Sequence, residues 1–165
     1  MKTDKIWYVT GASKGLGLTL VKKLLATGYK VAATSRNAAT LSEAVGAGNS
    51  ENFLPLEVDL VDEQSVAESI RRTQEVYGKI DVIVNNAGYG HEGILEESSL
   101  ADMRRQFEVN VFGAVAMIKA VLPGMRQRRH GHRGGHGEQS QEGEPAELHL
   151  DVGLGHVSPC DAIRG

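Results

Sequence analysis

The stretch Thr10-Gly-Ala-Ser-Lys-Gly-Leu-Gly17 constrains this chain most, because of what stands on either side of it. Before it runs the apolar segment Ile6-Trp-Tyr-Val9, of strand length, and after it residues 18–26 carry helical patterning. Gly11, Gly15 and Gly17 therefore fall in a turn between a strand and a helix. There they are expected to take positive φ angles and let the backbone approach a pyrophosphate, with the free N–H groups of the helix pointing at the anion. A glycine triplet alone is a weak signal. The flanking strand and helix give it meaning.

The rest of the chain continues the alternation. Residues 6–10 read as a strand buried on both faces of a parallel sheet. The next helix carries Leu16, Leu20, Leu24 and Leu25 at helical spacing, places Lys22 and Lys23 outside and stops at Gly28. Residues 30–35 form a second strand, and 37–45 a short helix with Leu41 and Val45 four apart. Residues 53–58 form a third strand, where Pro55 argues for the sheet edge because a missing N–H costs least there. Asp62 is placed to cap a helix reaching Tyr77, with Val66, Ile70 and Val76 as its apolar side, and residues 81–84 form a fourth strand. Ser99-Leu-Ala-Asp102 resembles a helix cap. Phe107, Val111, Val115, Ile118 and Leu122 then repeat as a core stripe until Pro123-Gly124.

Four strands, each followed by a helix, imply right-handed crossovers and an α/β fold, a doubly wound parallel sheet of Rossmann type. Ligands of such sheets bind outside the carboxyl ends of the strands. Four polar clusters fall at those ends: residues 11–17, Ser35-Arg36-Asn37, Asp59, and Asn85-Asn-Ala-Gly88. At 165 residues and 41% apolar content the chain supports one domain. A net charge of −3 offers no general attraction to nucleic acid or to an anionic membrane, so neither is expected as a partner. Cys160 is the only cysteine, which suits a reducing compartment. The first apolar run is too short for a signal-peptide core, and the longest, 109–125, is interrupted by Lys119. A soluble cytoplasmic protein is expected.

Thr10-Gly-x-x-x-Gly-x-Gly17, the Asp59-Leu60 pair, Asn85-Asn-Ala-Gly88 and Asn110 in Val109-Asn-Val-Phe-Gly113 resemble the nucleotide-binding half of the short-chain dehydrogenases/reductases, over about residues 4–132. The resemblance implies an oxidoreductase that moves a hydride between a nicotinamide and an alcohol or carbonyl. Carried over by position, Gly11, Ser13, Gly15, Leu16 and Gly17 would hold the dinucleotide, and Asp59 and Leu60 would sit by the adenine. Asn86, Ala87 and Gly88 would lie by the adenosine ribose. Asn110 matches the family's helix asparagine, which organises a water beside the catalytic lysine, and is the one member of the catalytic tetrad present. The helix over 99–122 is half of a dimer contact in that family, or equally a core helix here.

Cofactor preference follows from charge. A carboxylate after the second strand accepts from both ribose hydroxyls and repels a 2′-phosphate. Here that position is Ser35-Arg36, and Arg36 suits bidentate phosphate contact while Lys14 adds a second positive charge. NADP(H) is favoured over NAD(H). His91, in the loop that lines the substrate side in the family, reads as a plain loop histidine, and the other histidines match no metal-ligand spacing.

Past His132 the character of the sequence changes. The family's next strand, ending in a serine, and its Tyr-x-x-x-Lys helix are not found in these 165 residues: no tyrosine has a lysine four positions later. That chemistry needs a phenol whose pKa is lowered by a neighbouring ammonium and a hydroxyl to hold the substrate oxygen. Residues 1–129 thus read as an incomplete NAD(P)-binding domain. Residues 130–165 read as a Gly/His/Glu-rich tail, disordered or encoded by a shifted reading frame, with a short strand in the alternation of Leu148, Leu150, Val152 and Leu154. The change falls in mid-fold, which favours the shifted frame. As written, the chain is expected to be inactive and marginally stable, with an exposed edge at the fourth strand. A non-catalytic dinucleotide-binding or interaction protein is the alternative.

Overall fold

The computed structural model describes residues 5–48, 50–91, 93–130 and 148–149. Strands β1 (Ile6–Val9), β2 (Lys30–Ser35), β3 (Phe53–Glu57) and β4 (Val82–Val84) alternate with helices α1 (Gly15–Ala26), α2 (Ala38–Val45) and α3 (Glu63–Tyr77). After β4 come α4 (Leu100–Phe107), a π-helical turn (Glu108–Gly113) and α5 (Ala114–His130). The sheet is parallel, in the order β3-β2-β1-β4-β5, where β5 is Leu148–His149. Pro55 lies on the edge strand as its missing N–H demands, opposite Ala33. The edge of β4 that the sequence leaves open is paired with β5 at Ile83 and Val84. The remaining expectations for the tail, and Cys160, lie outside the described residues.

Side-chain alternation along the strands splits the core into two layers. On one face Tyr8, Ala32, Leu56, Val58 and Ile83 pack with Val66 and Ile70 of α3 and Met117, Val121 and Met125 of α5. On the other, Val9, Val31, Ala33, Val82 and Val84 pack with Val21 and Leu24 of α1 and Leu41 and Val45 of α2. A sheet covered on both faces by helices is the doubly wound arrangement. The Tyr8 phenol is buried 2.6 Å from Ser69 Oγ, and burial pushes its pKa up, partly opposed by that hydrogen bond.

Caps behave as their chemistry requires. Asn37 Oδ1 accepts from Thr40 N, Asp62 Oδ1 from Gln64 N, and Ser99 Oγ from Asp102 N. Three apolar stripes differ from the pattern read along the sequence. In α1 Leu16 is exposed, and Gly17, Val21 and Leu24 face the core. In α3 Val76 is exposed, and Ser69 and Thr73 are buried instead, each satisfied by a backbone carbonyl one turn back.

In the last helix Phe107, Val111 and Val115 face solvent, while Gly113, Met117, Val121 and Met125 are buried. Nor does this helix stop at Pro123-Gly124. Beyond the proline Met125 is buried against the sheet, Gly124 lies where a Cβ would come within 2.9 Å of Gln74 Nε2, and Arg128 donates to the Ile80 carbonyl. Tertiary anchoring therefore outweighs the proline's local preference. Residues Leu100–Arg128 are long and apolar enough to cross a bilayer by length and composition. Their buried edge packs on the sheet with α3, as a covering helix of an α/β layer does.

Candidate dinucleotide site

From β1 the chain moves outward to β2 and β3, then returns to the other side of β1 for β4. The order of strands reverses between β1 and β4, and at such a switch point the loops part to leave a crevice at the carboxyl ends. The loop after β1 and the loop after β4 flank that crevice. They are stitched together: Thr10 Oγ1 accepts from Asn86 N and Ala87 N, each at 3.0 Å, and Asn86 Nδ2 donates to Thr10 O and Gly11 O, both at 3.0 Å.

The glycines do different work. Gly11 has φ +66°, and a Cβ there would stand 2.6 Å from Ala87 Cα. Gly15 has φ +59° and open space around it. Gly17 does not take a positive φ as its place in the triplet suggested. It is a contact glycine, whose Cβ would meet Asn86 Nδ2 at 2.4 Å and Gly11 O at 2.6 Å. Ala12 is buried and its N–H bonds Thr34 O, which fixes the turn to β2 as well. Ser13 is partly buried; Lys14, Gly15 and Leu16 are exposed.

The N-terminus of α1 has no side-chain cap and no acid in its first turn. Its first N–H groups have no intrahelical acceptor and carry the positive end of the helix dipole. A glycine loop held open beside an uncapped, acid-free helix start is a cradle for phosphate, and the residues present fit a dinucleotide.

The neighbouring clusters lie at the same end of the sheet. Ser35 Oγ donates to Asn37 O and accepts from Asn37 N, so Arg36 sits exposed at the apex of a tight turn. Asp59 Oδ1 accepts from Val61 N and Asp59 N donates to Ser65 Oγ, leading the chain into α3. Leu60 is half-buried against Gly113. Asn85 is buried with no hydrogen-bond partner for its carboxamide among the described residues, whereas Ala87 is half-buried and Gly88 exposed. Asn86, expected by the ribose, also donates its side-chain N–H groups to two backbone carbonyls and so braces the glycine loop. Only the fold could disclose that contact, because 76 positions separate it from Thr10.

Asn110 lies within the π-helical turn. Its Oδ1 accepts from Tyr89 N at 3.0 Å and its Nδ2 donates to Tyr89 O at 2.8 Å, a two-point grip on the loop after β4. π-Turns leave carbonyls out of the regular ladder and occur at functional positions. His91, read as a plain loop residue, is tied by Nε2 to Ser98 Oγ at 3.0 Å. No group of three or more potential metal ligands occurs among the described residues.

The brace makes a prediction. Asn86→Ala strips the donor from two carbonyls in the loop, so stability should fall by about 1–3 kcal/mol. Dinucleotide affinity should fall with it, as read by urea melts and NADPH titration. Unchanged values in both would mean that the loops hold without this contact.

The comparisons with known proteins agree with this geometry. The family model for the short chain dehydrogenases matches residues 5–132. The oxidoreductase BOA17 of Botryotinia fuckeliana is 38% identical over 128 residues, 78% of this chain and 47% of that protein. A 3-ketoacyl-(acyl-carrier-protein) reductase from Brucella melitensis, solved with NADH, superimposes with a TM-score of 0.71 at 28% identity, over 77% of this chain and 52% of the other. An alcohol dehydrogenase from Thermococcus sibiricus, solved with 5-hydroxy-NADP, gives 0.68 at 30% identity, over 74% and 54%. The chain spans about half the length of the curated relatives it matches. With the glycine turn, the strand order and the family match in agreement over the same residues, this chain belongs to the short-chain dehydrogenases.

Proposed function

We propose that these residues form the dinucleotide-binding half of an NADP(H)-dependent oxidoreductase acting on a small alcohol or carbonyl compound. The observation that carries the reading is the open glycine turn at the bare N-terminus of α1, at the point where the strand order reverses. Gly11, Ser13, Gly15, Leu16 and Gly17 would hold the pyrophosphate region, Asp59 and Leu60 the adenine, and Asn86, Ala87 and Gly88 the ribose, with the Asn86 side chain also bracing the turn. When bound, NADPH supplies a hydride to a carbonyl carbon.

Arg36 and Lys14 carry the choice of cofactor. Both are exposed, and Arg36 is held at the turn apex by the Ser35–Asn37 hydrogen bonds, where a 2′-phosphate would find a planar cation; the Glu57 carboxylate, opposite Ser35 on β3, accepts from Ala38 N at 3.5 Å. Titration of the purified chain with NADPH and NADH tests this. Arg36→Ala is expected to weaken NADPH by tenfold or more, in line with roughly 1.5–3 kcal/mol for a charge-assisted contact, and to leave NADH unchanged. Equal losses for both cofactors would remove the phosphate role.

Asn110 is the one tetrad position present, and these 165 residues hold no Tyr-x-x-x-Lys pair to deliver a proton to the substrate oxygen. Saturable NADPH binding without carbonyl reduction is therefore the expected behaviour of this chain. The tail from 130 onward remains best read as a shifted frame, which the nucleotide sequence would decide. The exposed Phe107, Val111 and Val115 favour a contact between two copies along α4 and α5. Composition favours a cytoplasmic setting.

A further inference from the structure

Strand β3 ends beside the turn that presents Arg36. Pairing sets Glu57 opposite Ser35, and the Ser35 carbonyl accepts from Val58 N at 2.9 Å, so the two strand ends are locked together. Leu56 and Val58 are buried on the face that α3 and α5 cover, and Phe53 on the face that α1 and α2 cover. Alternation therefore sends Glu57 to the α2 side, where its Oε2 accepts from Ala38 N at 3.5 Å. Ala38 is the first residue of α2, whose own first turn holds no acid. The carboxylate that complements this helix dipole thus comes from the neighbouring strand.

That placement puts a negative charge beside a cluster whose other charges, Arg36 and Lys14, are positive. Arg36 and Ala38 are two residues apart, and the backbone of Asn37 between them is held by Ser35 Oγ. Glu57 and Arg36 are both exposed, yet no ion pair joins them among the described residues. The guanidinium is left to meet a phosphate, and the carboxylate stands by without being offset by it. Asp59, the next acid along the chain, turns its Oδ1 to Val61 N. Glu57 is therefore the carboxylate that faces the start of α2.

We propose that Glu57 limits the preference of this site for NADP(H) over NAD(H), because its carboxylate opposes the 2′-phosphate that Arg36 attracts. This rests on the reading of the crevice as a dinucleotide site and adds the residue that sets its discrimination. The effect is one of charge at an exposed position, so it is modest and is screened by salt.

The test compares the full 165-residue chain with its Glu57→Gln variant by calorimetric titration with NADPH and NADH, and with adenosine 2′,5′-bisphosphate and adenosine 5′-monophosphate, which differ only in the 2′-phosphate. Glutamine keeps the size and an acceptor for Ala38 N while removing the charge. At low salt NADPH and the bisphosphate should each bind the variant about three- to fivefold more tightly, with NADH and the monophosphate within about twofold of the parent. The gain should fade toward about 1 M salt, where the screening length is about 3 Å. It should persist in an Arg36→Ala background, since the repulsion is between carboxylate and phosphate. A gain in affinity cannot come from a damaged fold, so the expected result stands whatever the melt of the variant. NADPH affinity that is unchanged or lowered, a gain shared equally by NADH, a gain that resists salt, or one that disappears with Arg36 would each overturn the proposal. A parent chain that binds neither NADPH nor the bisphosphate would overturn the dinucleotide reading with it, whereas binding that Glu57→Gln leaves unmoved would overturn the role of Glu57 alone.

Discussion

Gly11→Ala should destabilise the chain by about 3 kcal/mol and abolish NADPH binding. Two separate effects add at this position. At φ +66° an L-residue pays roughly 1–2 kcal/mol for the left-handed conformation. The new methyl group would also stand 2.6 Å from Ala87 Cα and 3.0 Å from Ala87 N, and backbone cannot step aside as a flexible side chain can. Overpacking of that kind costs about 1–3 kcal/mol and is relieved only by parting the two loops. Parting them breaks the Asn86 and Thr10 hydrogen bonds that shape the crevice. Gly15→Ala is the control: it shares the positive φ at +59° and meets nothing within 4 Å, so about 1–2 kcal/mol is expected, from strain alone. Urea melts followed by circular dichroism compare the two. Equal losses would mean that the loops after β1 and β4 are not in contact.

How far the sequence shows this molecule depends on the range of the force involved. The strands, the caps at Asp62 and Ser99 and the edge position of Pro55 rest on local chemistry, and each appears in the fold where the residues indicate it. The four polar clusters share one end of the sheet because parallel strands leave them no other arrangement. Distant contacts are what the sequence hides. Gly17 looks like its neighbours in the triplet, yet it is needed because Asn86 and Gly11 O press on it. The bracing of the glycine loop by Asn86 is a contact across the fold, and nothing in spacing links His91 to Ser98 as the loop's own turn does. Pro123 reads as a stop, but the buried Met125 beyond it outweighs the local preference.

The last helix turns that lesson into a measurement. Met117→Ala is expected to cost about 2–4 kcal/mol, since a buried methionine leaves a cavity against Tyr8, Ile83 and the α3 side of the core. Phe107→Ala should change the stability of the monomer by no more than about 0.5 kcal/mol, because Phe107 is 60% exposed. Reading the stripe from sequence gives the reverse ranking. Counted at regular helical spacing, Phe107, Val111 and Val115 make an unbroken apolar line. Phe107, Val111 and Val115 stay on one face across the π-helical turn over Glu108–Gly113 and all are exposed, so periodicity finds an apolar line without saying whether it faces the sheet. The buried line is instead Gly113, Met117, Val121 and Met125, set two positions away and so nearly on the opposite face. Gly113 opens it, lying where a Cβ would come within 3.0 Å of Leu60, so the helix can settle onto the chain after β3. Thermal melts of both variants at low concentration decide the ranking, and sedimentation at higher concentration decides what the outer line is for. Phe107→Ala should weaken self-association there without moving the melt, and Met117→Ala should do the opposite; a destabilised Phe107→Ala monomer would place the core on the face that the sequence suggested.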